Sequence, residues 1–87
     1  MKSILFYWSK GAELRRRLVA TMAKECAGKR SCYLSKLAGI LGISHVALKK
    51  HVDLLAEEGY VEELNAGGKP TFLKLTREGE KLAKEFG

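Results

Sequence analysis

Ser44, His45, Val46, Lys49 and Lys50 fall within seven residues of one another, and their types suit an anionic, hydrogen-bonding partner. A hydroxyl and two ammonium groups can donate to phosphate. An imidazole or an ammonium can also meet the acceptor edge of a base, and a valine offers its methyls to a thymine methyl. Spacing decides whether they act together. From His45 to Glu58 the apolar residues Ala47, Leu48, Val52 and Leu55 recur at helical intervals. They give the segment one buried stripe and turn His45, Val46, Lys49, Lys50 and Asp53 outward. Two adjacent lysines on a helix ordinarily mean a solvated face, so this pattern alone leaves both meanings open. His51 lies beside the stripe and divides evenly between packing and a phosphate contact.

Few other residues suggest chemistry. No phosphate-cradling glycine loop or nucleophile elbow is visible, and Asp53 is the sole aspartate. Neither histidine has an evident carboxylate or nucleophile partner in sequence, so the expectation is a protein that is not an enzyme. Cys26 and Cys32 flank a five-residue loop and admit two readings, a pair of buried thiols or an intrachain disulfide. Arg15, Arg16 and Arg17 are consecutive and fan around a helix, so at least one must face solvent or a partner. A solvated face is the expectation for them.

The elements that would hold these residues are marked by glycines. An amphipathic helix is expected over Gly11–Cys26, with Leu14, Leu18, Val19, Met22 and Cys26 on one side and Gly28 ending it. A short extended stretch, Cys32 to Leu34, leads to Ser35, the expected N-cap of a brief helix Lys36–Leu41. Gly42 breaks that helix, and Ser44 is placed to cap the next. After Gly59 the period shortens to that of strands, Tyr60–Asn65 and Thr71–Leu75. They are joined by Ala66-Gly67-Gly68-Lys69-Pro70, whose paired glycines suit a hairpin. Leu73 and Leu75 would face one side of the ribbon, Phe72 and Lys74 the other. Thr76 caps a last helix with the apolar stripe Leu82, Ala83 and Phe86.

Composition narrows the class of partner. The 87 residues carry 16 Lys and Arg against 10 Asp and Glu, a net charge of +6, which favours an acidic partner such as nucleic acid. The longest unbroken apolar run is Ile4 to Trp8. That is far short of a membrane span, so no membrane association and a cytoplasmic location are expected. The length suits one domain over 1–87. Glutamine is absent, Asn65 is the sole asparagine, and Lys and Glu are abundant, a thermophile-like pattern. That pattern is what makes an intracellular disulfide credible. The run Ile4-Leu-Phe-Tyr-Trp8 is too apolar to stand free in water. It either covers its own core or pairs with a second chain.

The segment Leu34-Ser-Lys-Leu-Ala-Gly-Ile-Leu-Gly-Ile-Ser-His-Val-Ala-Leu-Lys-Lys-His-Val-Asp-Leu-Leu-Ala-Glu-Glu-Gly-Tyr-Val61, with Leu75-Thr-Arg-Glu-Gly79 after the hairpin, resembles the winged helix-turn-helix of ArsR- and MarR-type proteins. The likeness runs from Leu14 to Phe86 and leaves 1–10 as an N-terminal extension. It implies an α+β fold of helix, short strand, helix, helix, two-stranded wing and C-terminal helix. It also implies a sequence-specific, double-stranded DNA-binding transcription regulator of archaeal or thermophilic type, without a cofactor and acting as a homodimer. In that frame Ala38, Gly42 and Ile43 form the turn. Ser44, His45, Val46, Lys49 and Lys50 enter the major groove, Ser35 and Lys36 anchor phosphate, and Lys69 and Lys74 serve the wing. Glu62 and Glu63 weaken the wing's positive field. Metal-sensing relatives carry cysteines on the helix that here reads Lys36–Leu41; this chain has none there, so no metal is expected. Trp8, Leu82 and Phe86 are the expected dimer seam. A winged helix used for protein contact is the main alternative, kept open by Glu57, Glu58, Glu62 and Glu63. Non-specific, chromatin-like DNA binding is a third.

Overall fold

A computed structural model describes residues 4–26, 32–64 and 71–86. After a π-helical turn, Ile4–Trp8, come α1 (Ala12–Glu25), β1 (Cys32–Tyr33), α2 (Leu34–Leu41), α3 (His45–Glu57), β2 (Val61–Leu64), β3 (Phe72–Leu75) and α4 (Arg77–Phe86). The three strands form one antiparallel sheet in the order β1-β3-β2. The register sets Cys32 opposite Leu73 on one side, and Val61 opposite Leu75 and Glu63 opposite Leu73 on the other. The α+β winged helix-turn-helix expected from the sequence is the fold observed.

Alternation along β3 buries Leu73 and Leu75 and leaves Phe72 and Lys74 on the outer face. Leu73 and Leu75 join Leu18, Val19 and Met22 of α1, Leu37 and Ala38 of α2, Leu48, Val52 and Leu55 of α3, and Leu82 and Ala83 of α4 in one core. Phe6 belongs to it as well. Its ring is fully buried, 5.8 Å from that of Tyr60 and 5.1 Å from that of Phe86. Of the two uses open to the N-terminal run, Phe6 therefore covers its own core. Trp8 points away and is 81% exposed.

The helix-turn-helix closes as its residue types require. Gly42 takes the left-handed conformation at φ 70°, where a Cβ would be strained. The Ile43 N–H then donates to the Ala38 carbonyl at 3.1 Å. Ser44 accepts from the Ala47 N–H at 3.1 Å and caps α3. At the other end of the fold, Thr76 Oγ1 accepts from the Gly79 N–H at 3.1 Å and donates to the Gly59 carbonyl at 2.6 Å, tying α4 to the turn after α3.

The expected start of the second helix is corrected. α2 starts at Leu34, with Tyr33 at its N-cap and no side-chain cap bond, so Ser35 lies inside the first turn. The cause is tertiary: the Leu34 N–H donates to the Thr71 carbonyl at 3.1 Å, which turns the chain from strand to helix without a capping side chain. α1 ends at Glu25 with Cys26 at its C-cap, within one residue of the expected end at Cys26. Of the two readings open to Cys26 and Cys32, the structure has the disulfide, across a Cα separation of 5.6 Å. It fastens the end of α1 to β1. The expected hairpin turn, with Lys69, lies outside the described residues, as do Gly28 and Asn65.

Candidate nucleic-acid interface

The outward side of α3 follows from its buried one. With Leu48, Val52 and Leu55 buried and about 100° between successive residues, the opposite direction falls on Val46, Lys50 and Glu57. Val46 is 69% exposed, so its methyls are open to a partner. His45, Lys50, Asp53 and Leu54 are exposed as well. Along the helix the face is polarised, with Ser44, His45 and Lys50 at its start and Asp53, Glu57 and Glu58 towards its end. The helix N-terminus adds its own partial positive charge to the first half. A polyanion is attracted to that end and repelled from the other.

Lys49 sits on the flank of α3, towards the sheet. Its Nζ lies 2.5 Å from Asp53 Oδ1 and 3.0 Å from Glu63 Oε1. Hydrogen bonds to Asp53, then to Glu63, raise the Lys49 pKa, and the bond from Lys49 holds the Asp53 carboxyl below its ordinary value. Lys49 and Lys50, adjacent in sequence, thus occupy different environments. Lys50 makes no ion pair with a described residue. On α2, Ser35 and Lys36 are exposed, and Lys36 Nζ stands 3.7 Å from Glu25. Lys74 is half-buried on the outer face of the sheet, opposite Glu62 in the register.

The far flank of α3 meets α1 through a pair that sequence reasoning misread. Arg15 is only 3% exposed, not part of a solvated face. Its Nη1 donates to His51 Nδ1 at 3.1 Å, and Nη2 donates to Ser9 Oγ and to the Lys10 carbonyl at 3.2 Å. A guanidinium only donates, so His51 Nδ1 must be the unprotonated nitrogen of a neutral ring. Burial, and then the charge of Arg15, lower the His51 pKa. Of the two roles open to His51, packing is the one the structure displays. Arg16 donates to the Phe6 carbonyl and lies 5.0 Å from the Tyr7 ring centroid; Arg17 remains exposed.

Of the expected seam residues, Leu82 is buried in its own core, Phe86 is half-buried against Phe6 and Tyr7, and Trp8 is open. Among the described residues no group of three or more His, Cys, Asp or Glu could hold a metal ion. No helix among them is long and apolar enough to cross a membrane.

No protein-family model matches the sequence, and no curated protein is similar to it at a significant level. Solved structures are similar in fold. A mutant MarR from E. coli complexed with operator DNA superposes with a TM-score of 0.71 at 20% identity, over 84% of this chain and 51% of that one. AF1382 from Archaeoglobus fulgidus gives 0.75 at 22% identity, over 84% and 79%. NadR in complex with 4-hydroxyphenylacetate gives 0.70 at 30% identity, over 83% and 50%. The chain is a winged helix-turn-helix protein. Its fold is similar to the winged helix of MarR and NadR, and the chain spans about half the length of those proteins.

Proposed function

We propose that the protein is a sequence-specific regulator of transcription that binds double-stranded DNA with α3 in the major groove. The observation that carries this reading is the polarised outer face of α3, with exposed Val46 and Lys50 on its cationic N-terminal half. A lone exposed valine is ordinary on a protein surface; here it stands beside a lysine on the cationic half of the helix, so one partner with an apolar group and an acceptor edge would engage both. The thymine methyl and the guanine O6/N7 edge are such groups. His45 and Ser44 flank them, Ser35 and Lys36 meet the phosphates beside the groove, and Lys74 with Lys69 of the wing contacts the adjoining backbone. The fold shared with an operator-bound MarR supports the same reading.

Binding as a homodimer completes the proposal, because one recognition helix reads only a few base pairs and two must lie about 34 Å apart. Trp8, with the outer edge of Phe86, is the part of the expected seam left for a partner. The test is fluorescence anisotropy with labelled duplex DNA over a range of salt. Affinity should fall steeply with salt. Lys50→Ala should cost about 1–3 kcal/mol at a preferred site and relax preference at one position. Trp8→Glu should leave the fold intact while yielding monomers by light scattering. Salt-independent or absent duplex binding would favour the protein-contact alternative, for which exposed Ile40, Val46 and Leu54 would be the apolar surface.

A further inference from the structure

We propose that Asp53 and Glu63 withhold Lys49 from DNA, so that these two carboxylates limit affinity for arbitrary sequence and leave Lys50 as the cation through which α3 discriminates. The inference rests on the DNA-binding reading and deepens it. In the order β1-β3-β2 the strand β2 is an edge, and alternation along it puts Glu63 on the same face as buried Val61, towards α3. The Glu63 side chain is only 13% exposed. A carboxylate in that position is stabilised by a cationic partner, since leaving it charged and unpaired with little access to water is costly. Lys49 is that partner, with Nζ 3.0 and 3.2 Å from the two Glu63 oxygens. Asp53, one helical turn on, closes the other side at 2.5 Å.

The consequence concerns exchange. A phosphate competing for Lys49 would replace two carboxylates with one anion. It would also leave Glu63 covered, charged and close to the DNA. Lys50 carries no such penalty, because it is exposed and without a described carboxylate partner. Lys49 therefore acts as a tie between the recognition helix and the first wing strand. Asp53 and Glu63 act as determinants of specificity by keeping a second, sequence-blind cation from the backbone.

The experiment is a double-mutant cycle on the full chain, read as the slope of log affinity against log salt with a random-sequence duplex. Asp53→Asn/Glu63→Gln is made with Lys49 intact and in a Lys49→Met background, and circular dichroism checks each variant for folding. With Lys49 present, freeing it should add one phosphate contact and steepen the slope by about 0.9. That is about a 3.5-fold larger loss of affinity between 50 and 200 mM salt. In the Lys49→Met background the same substitutions should leave the slope unchanged. An equal steepening in both backgrounds would show that the acids act only through their general field, and no steepening in either would show that Lys49 is not withheld; either result overturns the inference alone. Absence of duplex binding by the unaltered protein would instead remove the DNA-binding reading, and this inference with it.

Discussion

Gly79 sets local preference against packing, and the sign of its substitution tests the fold. In isolation, Gly79→Ala should stabilise a helix by up to about 1 kcal/mol. In the structure Gly79 is buried in the first turn of α4, packed against the backbone of Tyr60, the residue before β2. A Cβ built there overlaps the Tyr60 carbonyl oxygen and lies 3.0 Å from Leu75 Cδ2 and 3.1 Å from the Tyr60 carbonyl carbon. The Tyr60 oxygen cannot simply swing aside, because it accepts from the Thr76 N–H at 3.1 Å. Overpacking costs about 1–3 kcal/mol, and losing the Thr76–Tyr60 bond adds about 1 kcal/mol. Packing wins, for a net loss of about 2 kcal/mol and a fall in Tm of about 8–16 °C. Gly39→Ala is the control. It lies on the exposed side of α2 with no atom within 4 Å of the new Cβ, so propensity acts unopposed and should raise stability by about 0.5–1 kcal/mol. Both are read by thermal melts and urea titration, with an unchanged m-value required for comparison. A Gly79→Ala variant melting at or above the parent would refute the close approach of α4 to Tyr60.

Two further outcomes follow from the ties around the core. Opening the Cys26–Cys32 bridge should cost about 2 kcal/mol by the chain-entropy relation for so short a loop; unreduced protein should show no thiol on labelling after unfolding, and two thiols per chain would reject the bridge. His51 is held below its ordinary value of 6.5, so below pH 6.5 the unfolded chain takes up a proton more readily than the folded one. Its contribution is then complete above about pH 6.5 and lost as pH falls towards the depressed folded value. Melts between pH 7 and pH 5 should fall with acid, and His51→Gln should flatten that part of the profile; an identical slope in the variant would show that His51 is not the group responsible.

What the sequence made legible was whatever depends on local period and turn chemistry. The stripes of α1 and α3, the break at Gly42, the Ser44 and Thr76 caps and the inward faces of Leu73 and Leu75 all follow from neighbouring residues. Harder to read were features set by contacts across the fold. Three consecutive arginines do not say which faces inward. Arg15 does because Ser9 and Lys10, together with His51 from a distant helix, supply acceptors there. α2 starts two residues ahead of Lys36 because of a backbone bond to Thr71, which no capping rule contains. The i,i+4 spacing of Lys49 and Asp53 was open to inspection. Glu63 as a partner needed the alternation of Val61 and Glu63 to be joined with the docking of β2 on α3.

Whether α3 reads duplex DNA is decided by a selection of bound sequences from a pool of random duplexes. A roughly palindromic site whose two half-sites lie one helical turn apart should be enriched. In a parallel selection with Lys50→Ala, the preference at one position of each half-site should be lost. A pool that emerges without a preferred sequence, or a consensus unchanged by that substitution, would contradict that role of α3.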